Sequence, residues 1–432
     1  MKKKLLSVLL CVSMVAGAAA GCGASKDTGG DGKEGSLTEL TLLIDTDVST
    51  AGFEAVVDLA EEKLGITVKT ETRPGGSDGD NIVKTRLASG DMADLCLYNS
   101  GALLNAINPA EYFIDITDEE FTDRLDDGYK SAVSVDGKVY GIPYQSSQAE
   151  GVMYSKTMYQ EYGLEVPGTW DEFLSNCDTL KEAGETAILG TFADSWTSQV
   201  VFLGDAYNLE TDNPDFAAAF DKGEAKWEST KEALRSFEKL EETTPYYNED
   251  YLATTYDDGC DIMANGEAGH WFILSQALTN IYELYGDQVN DLGFFPVPND
   301  AKDINGMTLW YPAGLFGNKN SDKTEAILEF MEFYVSDEAL DTYSEAVLPD
   351  GPYCIQDYEL PENAYEAVSQ DIQPYVDAGN ALPALEYIAQ VKGSDCPAIC
   401  QELASGQTTA AEAAQKYDND CKKQATQLGL DW

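Results

Sequence analysis

The segment from Asp136 to Gln148, DGKVYGIPYQSSQ, places an aromatic ring next to a row of uncharged hydrogen-bonding side chains. The Asp136-Gly137 pair predicts a turn between two short apolar runs, and the second run ends at Tyr144. Gln145 follows, then two serines and a second glutamine. Side chains of these types hold ligands by ring contact and hydrogen bonding rather than by covalent chemistry.

Other aromatic residues fall at predicted strand ends or in loops, where side chains can meet a ligand. Together with Tyr144, these are Tyr98, Trp196, Trp310 and Tyr387. A sugar presents apolar C–H faces and a rim of hydroxyls, so its site needs flat rings and amide, hydroxyl or carboxylate groups. Core packing is an equally good explanation for any single one of these rings.

The sequence offers little support for catalysis. Its single histidine, His270, lies in an apolar run, where a structural role is the commoner one, and no histidine cluster could hold a metal. The signatures of serine hydrolases, zinc proteases, phosphate-binding loops and calcium loops are absent. A carboxylate pair could serve a glycoside hydrolase, but 77 acidic residues leave no pair distinguishable. We expect no catalytic residue, no metal and no cofactor.

Alternating strand and helix patterns position these residues. Apolar runs predict strands that end at Asp45 and Tyr98, and the helical patterns between them stop at Gly65 and Gly90. This alternation predicts an α/β fold with a parallel, doubly wound sheet. Ligands of such sheets bind beyond the carboxyl ends of the strands, which here carry Asp45, Thr46, Asp47, Tyr98 and Asn99.

The alternation continues through the rest of the chain. Residues 268–274 (AGHWFIL) and 291–298 (DLGFFPVP) read as strands, and residues 410–429 as a helix. Residues 322–336 predict an amphipathic helix whose apolar stripe consists of Ala326, Leu328, Phe330, Met331 and Phe333.

The composition bounds the possible partners. The chain has 432 residues, 27 of them basic and 77 acidic, for a formal charge of −50. Nucleic-acid binding needs a basic face, so we expect no nucleic-acid partner. The charge predicts a self-repelling, soluble surface, and a cationic ligand such as a polyamine is the alternative explanation.

The first 36 residues predict export and anchoring. Lys2 to Lys4 and the short apolar run after them are typical of a signal peptide, residues 1–21. Small residues directly before Cys22 resemble a bacterial lipobox, which implies lipidation of Cys22, and an ordinary thiol just past a simple cleavage site is the alternative. Residues 22–36 contain no large apolar side chain and predict a flexible tether with a reach of about 20 Å.

The later cysteines number seven, at irregular spacing, and we expect mainly buried free thiols. A local disulfide between Cys396 and Cys400 is the alternative.

Five stretches, in order, resemble the extracellular solute-binding lipoproteins of bacterial ABC importers, especially the carbohydrate-binding branch that includes the maltodextrin-binding proteins. The first is SGDMADLCLY, in which Ala93 replaces the family's usual proline. The others are VDGKVYGIPY with MYSKTMYQEYGLEVPGTWDEF, then MANGEAGHW, then the run from DLGFFPVPND to YVSDEA, and finally ASGQTTAAEA.

This resemblance implies a type II fold like that of periplasmic binding proteins, with two lobes and a ligand cleft between them. Lobe 1 would comprise residues 37–144 and about 288–345, and lobe 2 residues 145–287 and about 346–432. The segment Tyr144 to Gln148 would be the first crossing between the lobes. Where many members have Gly-x-Trp, this chain has Leu274-Ser275-Gln276, so an amide replaces a stacking ring unless Trp271 compensates.

The resulting prediction is a carbohydrate receptor, for an oligosaccharide, that feeds a membrane permease. It would be a monomer, lipid-anchored on the extracellular face of the bacterial membrane, and not an enzyme. The alternatives are the same fold binding a polyamine or other small polar solute, or a surface glycoside hydrolase. The predicted ligand contacts are Asp47, Tyr98, Asn99, Tyr144, Gln145, Trp196, Gln276, Trp310 and Tyr387.

Overall fold

The structure, a computed structural model, describes residues 37–46, 48–74, 76–430 and 432. The predicted signal segment 1–21, the lipidation residue Cys22, the tether 22–36 and the predicted ligand contact Asp47 lie outside these residues. The described chain alternates strands and helices and builds two main sheets.

The strands are β1 Thr38–Asp45, β2 Ile66–Arg73, β3 Leu95–Tyr98, β4 Ser134–Val135, β5 Lys138–Val139, β6 Gly141–Pro143, β7 Gln148–Ser155, β8 Thr186–Leu189, β9 Ala268–Leu274, β10 Leu292–Phe295, β11 Met307–Trp310, β12 Gly314–Gly317 and β13 Ala381–Pro383.

The helices are α1 Ala51–Leu64, α2 Gly76–Ser89, α3 Ala102–Ala106, α4 Pro109–Tyr112, α5 Asp127–Ala132, α6 Lys156–Tyr162, α7 Trp170–Ala183, α8 Val200–Leu203, α9 Ala206–Asp212, α10 Phe216–Asp221, α11 Lys231–Thr243, α12 Tyr256–Ala264, α13 Ala277–Tyr285, α14 Thr324–Tyr334, α15 Asp337–Ala346, α16 Gln373–Asp377, α17 Cys396–Ala404 and α18 Ala410–Gln427. Shorter helical turns lie at Glu120–Arg124, Ser195–Gln199, Thr244–Tyr246, Gly286–Asp291, Ala367–Ile372 and Leu385–Tyr387.

The first sheet has the strand order β2-β1-β3-β12-β6. Strand β1 runs parallel to β2 and β3, as the alternating pattern predicts, and α1 ends at Gly65 in the left-handed conformation with φ of 70°. Strand β12 is antiparallel to β3 and β6. Strand β12 begins opposite Tyr98, the last residue of β3. The chain enters β12 from the second sheet. The sheet is therefore mixed rather than parallel throughout.

The second sheet has the order β13-β11-β7-β9-β8, and β10 also pairs with β7. Strands β10 and β11 are antiparallel to β7, so residues 292–310 belong to this sheet. This pairing differs from the predicted lobe boundary near residue 288. The chain returns to the first sheet only at 311–313, because the apolar run at 291–298 continues the second sheet before the connection begins.

Three segments connect the two sheets: 144–147 between β6 and β7, 311–313 between β11 and β12, and the segment after α15. The first and third run side by side, since the Ser147 backbone N–H donates to the Pro352 carbonyl at 2.8 Å. Helix α15 packs on α1 of the first sheet, where a Cβ on Gly52 would lie 2.6 Å from the Tyr343 ring. The predicted lobe boundary near residue 346, where the chain would pass from lobe 1 to lobe 2, falls at the end of this helix.

Strand β9 shows how the second sheet is covered on both faces. Trp271 and Ile273 belong to a core that also contains Leu278 of α13 and continues into the first sheet's core. Phe272, on the opposite face, packs in a separate core with Phe237 of α11 and with α17 and α18. Alternating side chains of one strand thus enter two different cores.

The single histidine is a core residue. His270 is fully buried, with Nδ1 2.8 Å from the Ala187 carbonyl and Nε2 2.7 Å from the Tyr159 hydroxyl. Burial lowers the pKa of its imidazole to about 4, so the ring is neutral at physiological pH. A neutral ring with both nitrogens hydrogen-bonded has a structural role here.

The seven cysteines beyond the tether are all buried free thiols, as predicted, and Cys396 and Cys400 are not joined. Within the described ranges, no helix combines the length and the apolar composition needed to cross a bilayer.

Candidate ligand-binding site

A cavity of about 440 Å³ lies where segments of the two sheets meet. We call it the interlobe cavity. Its walls come from the segment after β1, the first connection, the start of α13 and the segment that follows α15. It is lined by Thr46, Val48, Ser49, Gln145, Ser146, Gln148, Gln276, Thr279, Asn280, Glu283, Tyr343, Val347, Leu348, Pro349 and Asp350.

The lining of the interlobe cavity is rich in amides and hydroxyls. Gln145, Gln148 and Gln276 bring three carboxamides from two different segments to one space. Each carboxamide can both donate and accept hydrogen bonds, which suits a ligand that carries many hydroxyl groups. Glu283 and Asp350 are the acidic residues of the lining. The described residues of the lining include no lysine, arginine or histidine.

Two predicted contacts, Gln145 and Gln276, come together at this cavity although they are 131 positions apart in the sequence. Gln276 stands directly before α13, two residues after β9 ends, and is the last residue of the Leu274-Ser275-Gln276 sequence that departs from the family pattern. A third predicted contact, Asp47, lies outside the described residues, but Thr46 and Val48 on either side of it line the same cavity.

Asp350 is a cavity residue that the sequence analysis did not predict. Its Oδ1 accepts from the Ser146 hydroxyl at 2.8 Å and its Oδ2 from the Gln148 amide at 3.4 Å. Its backbone carbonyl accepts from the Ser275 hydroxyl. Burial raises the pKa of the carboxyl to about 6, against these hydrogen bonds, which lower it. In the sequence Asp350 is one of many acidic residues, inside a Pro-Asp-Gly-Pro turn pattern, and nothing in that pattern indicates a ligand site.

Tyr98 and Tyr144 are packing residues. Each is 1% exposed, and Tyr144 stacks on Phe53 with ring centroids 5.6 Å apart. The Tyr144 hydroxyl donates to the Ser49 carbonyl at 3.0 Å, so it fixes the cavity wall from behind. A ligand ring cannot reach either tyrosine face in this conformation, which corrects the predicted stacking role. Asn99, the residue after Tyr98, is exposed and does not line the interlobe cavity.

Trp310 and Tyr387 form an aromatic pair, with ring centroids 5.4 Å apart and the rings nearly perpendicular. The Tyr387 hydroxyl donates to the Tyr311 carbonyl at 2.9 Å, which ties this pair to the second connection between the sheets. Neither ring lines the interlobe cavity, but Trp310 is the direct neighbour of Gln148 in the second sheet. Trp310 therefore lies one strand away from a residue of the cavity wall.

A buried charge cluster lies beneath this aromatic pair. Lys392 pairs with Glu386 and places its ammonium 5.2 Å from the centre of the Trp310 ring. Glu150, 1% exposed, is the second carboxylate of the cluster, and burial followed by the charge of Glu386 raises the pKa of Glu150 well above its usual range. The Lys392 ammonium thus links this cluster to the Trp310 indole.

Trp196 is linked to the cavity wall through a second aromatic pair, which it forms with Tyr256. Its ring lies 5.5 Å from that of Tyr256, and the Tyr256 hydroxyl donates at 2.8 Å to Asn280 on the cavity wall. Trp196 itself is half-buried and does not line the cavity. None of the five predicted aromatic residues lines the interlobe cavity, but Tyr144, Trp196 and Trp310 each contact a lining residue or its direct partner.

The described part of the chain contains no group of three or more His, Cys, Asp or Glu side chains with metal-binding geometry.

Two α/β sheets, joined by three connections and enclosing a polar cavity at their junction, define a two-lobe ligand-binding protein. Comparison with known families agrees. Residues 46–341 match the model of the bacterial extracellular solute-binding proteins, and the chain belongs to this family.

Individual relatives share shorter stretches. The chain is 32% identical over 143 residues to the multiple sugar-binding protein of Streptococcus mutans, a match that covers 33% of each chain. It is 26% identical over 182 residues to the melibiose/raffinose/stachyose-binding protein MelE of Bacillus subtilis, covering 42% of this chain and 41% of the relative. The matched stretches thus span about a third to two fifths of these relatives.

Solved structures share the whole fold. A chitin oligosaccharide binding protein superposes with a TM-score of 0.74, over 91% of this chain and all of its own, at 22% sequence identity. At that identity the likeness concerns the fold, which is the predicted two-lobe architecture.

Proposed function

We propose that this protein captures a carbohydrate, an oligosaccharide of neutral sugars, and delivers it to the permease of an ABC importer. The observation that carries the proposal is the lining of the interlobe cavity, where three glutamine amides and several hydroxyls converge and no basic side chain occurs among the described lining residues. Such a lining matches the hydroxyl rim of a sugar, and its described side chains carry no positive charge that would balance an anionic ligand. The sugar-binding relatives support the same class of ligand.

Binding would act through closure of the two lobes. The cavity is lined by residues from both sides of the first connection, so a ligand that contacts Thr46 and Gln276 together favours the closed arrangement. The permease would recognise that arrangement. A receptor must also release its cargo, so we expect a dissociation constant of about 0.1–10 µM, or roughly −7 to −10 kcal/mol.

A polyamine or another small cationic solute is the second candidate ligand. Glu283 and Asp350 favour it, because both carboxylates line the cavity and no basic side chain among the described lining residues offsets them. The three amides favour the sugar, since an ammonium group uses only their oxygen atoms. A hydrolytic role has less support, and we propose a binding function without catalysis.

The proposal places the protein outside the cytoplasm, in keeping with its family. We also propose that the segment 1–21 directs export, that Cys22 is lipidated and that the protein is a monomer. Replacement of Cys22 by alanine would release the protein from membranes or leave it unprocessed, and a Cys22→Ala variant that still carries labelled fatty acid would contradict the anchor.

A thermal-shift screen tests the ligand class. The panel contains raffinose, stachyose, chitin oligosaccharides and maltodextrins on one side, and spermidine and putrescine on the other. A ligand present at 100 times its dissociation constant stabilises the folded state by about 2.7 kcal/mol, which a melting curve resolves. Stabilisation by neutral oligosaccharides alone supports the proposal, whereas stabilisation by polyamines alone replaces it with the second candidate. Gln276→Ala serves as a control, because a shift that depends on the interlobe cavity decreases in this variant.

A further inference from the structure

Asp350 contacts three segments from different parts of the fold, two through its side chain and one through its backbone carbonyl. It lies after α15, on the third connection between the sheets. Its carboxylate accepts from Ser146 at 2.8 Å and from Gln148 at 3.4 Å, both on or next to the first connection. Its carbonyl accepts from Ser275, at the end of β9. The residue is 8% exposed and lines the interlobe cavity.

The contact with Gln148 determines which end of that amide meets the cavity. A carboxylate accepts hydrogen bonds only, so the amide nitrogen of Gln148 turns towards Asp350 and the amide oxygen turns away from it. Loss of the negative charge would remove this preference, since a protonated carboxyl can also donate. The hydrogen bonds from Ser146 and Gln148 would weaken too, because bonds to an ionised acceptor are roughly twice as strong as neutral ones.

We propose that Asp350 is a positioning residue for ligand binding: its carboxylate orients Gln148 and Ser146 at the wall of the interlobe cavity, so ligand affinity depends on the charge of this one side chain. The inference rests on the proposed function for the identity of the ligand, but not for the orientation of Gln148. It concerns a residue that makes its effect through neighbours rather than through the ligand itself.

Asp350 changes charge near neutral pH, whereas the tyrosine hydroxyls around it do not. The hydroxyls of Tyr256, Tyr343, Tyr353 and Tyr365 lie near it, and their pKa values are all raised, so they remain neutral. Glu283 is the other carboxylate on the cavity wall. Burial raises the pKa of Asp350 to about 6, so the carboxyl gains its proton as the pH falls from 7.5 to 5.

The direction of the effect follows from this titration. Above pH 6 the charged carboxylate holds Gln148 in one orientation, and below it the neutral acid does not. Affinity for a ligand that uses the oriented amide therefore decreases with falling pH. We expect a decrease of about tenfold between pH 7.5 and pH 5, the difference between a charge-assisted and a neutral hydrogen bond.

The first experiment needs no ligand. NMR spectra of the full chain, recorded between pH 4.5 and 8, follow the side-chain amide signals of Gln148, which are assigned from their loss in Gln148→Ala. We expect these signals to shift with a midpoint near pH 6, together with the carboxyl carbon of Asp350. In Asp350→Asn the shift disappears. If the Gln148 signals do not move while Asp350 titrates, the inference is overturned.

The second experiment uses the oligosaccharide that gives the largest thermal shift among raffinose, stachyose and chitin oligosaccharides. Calorimetry at pH 7.5, 6 and 5 compares the parent with Asp350→Asn and with the matched control Glu283→Gln. Asp350→Asn mimics the protonated acid, so we expect weak, pH-independent binding, while Glu283→Gln keeps the pH dependence. Equal affinities of parent and Asp350→Asn at every pH would sink the inference and leave the proposed function standing. If no sugar binds, the proposed function fails and the NMR titration still decides the role of Asp350.

Discussion

Gln148 and Trp310 are direct partners across β7 and β11, so an amide that lines the interlobe cavity stands beside an indole that does not. Directly opposed residues of antiparallel strands present their side chains on the same face, about 5 Å apart at Cβ. Trp310 also packs on Tyr387 and receives the Lys392 ammonium over its ring. The indole is thus held rigidly next to the cavity wall.

We predict that Trp310→Ala weakens binding of a cognate oligosaccharide by about 1–3 kcal/mol, because it removes the indole that pairs with Gln148 across the two strands and packs on Tyr387. Calorimetry on the folded variant measures the effect. Trp310→Phe keeps an aromatic ring there and should recover most of the affinity. An unchanged dissociation constant in Trp310→Ala would exclude this aromatic pair from the binding site.

Gln276 offers a second test, because it lines the interlobe cavity directly before α13. We predict that Gln276→Ala costs about 0.5–1.5 kcal/mol of binding free energy, the usual value of one hydrogen bond. Since Gln276 is only half-buried and precedes α13, the melting temperature should remain close to that of the parent. A loss of stability as large as the loss of affinity would assign Gln276 to the fold rather than to the ligand.

The fold could be predicted where local patterns decide it. Strand β1, helix α1 and strand β2 follow the predicted order, since apolar runs alternate with a helical pattern that Gly65 terminates. The amphipathic helix α14 is present, but its buried stripe is Ile327, Phe330, Met331 and Tyr334. The predicted stripe mixed positions two apart with positions three apart, whereas a helix buries positions three and four apart.

The candidate site could be predicted only in part. Gln145 and Gln276 were found because a motif marked the first connection and a departure from a motif marked the start of α13. Tyr98 was misjudged because a strand-end position fixes where a residue lies but not which way its ring turns, and all four residues of β3 are buried. Asp350 was missed because its role depends on two connections that meet only in the folded chain.

The buried ion pair of Lys239 and Asp205 predicts a large effect on stability without an effect on binding. Their side chains are 1% and 2% exposed, and the Lys239 ammonium lies 2.5 Å from the Asp205 carboxylate. Ser236 and Asn208 also donate to Asp205. Removal of one partner leaves a buried charge uncompensated, so we expect Lys239→Met to reduce the free energy of unfolding by about 3–5 kcal/mol.

Urea denaturation measures that loss. The surface pair of Lys416 and Glu402 provides the matched control, because both side chains are nearly half exposed and Lys416→Met should cost at most about 1 kcal/mol. Helix α11, which carries Lys239, packs on the face of the second sheet opposite α13, so ligand affinity should not change. Equal stabilities of the Lys239 and Lys416 variants would contradict the structural role of the buried pair.

Glu210 predicts how stability depends on pH. Its side chain is 9% exposed, and burial raises the pKa of its carboxyl from 4.5 to about 7, despite a hydrogen bond from the Ala217 backbone that lowers it. The folded state therefore binds the proton more tightly than the unfolded chain does. The stabilisation is fully present below about pH 4.5 and is lost as the pH rises through 7.

Glu210→Gln, which carries no charge at any pH, should be more stable than the parent at pH 8 by about 1–3 kcal/mol and equally stable near pH 4.5. Urea denaturation of both proteins at the two pH values measures this difference, and a Glu210→Gln variant that gains nothing at pH 8 would show that the carboxylate is solvated in the folded protein.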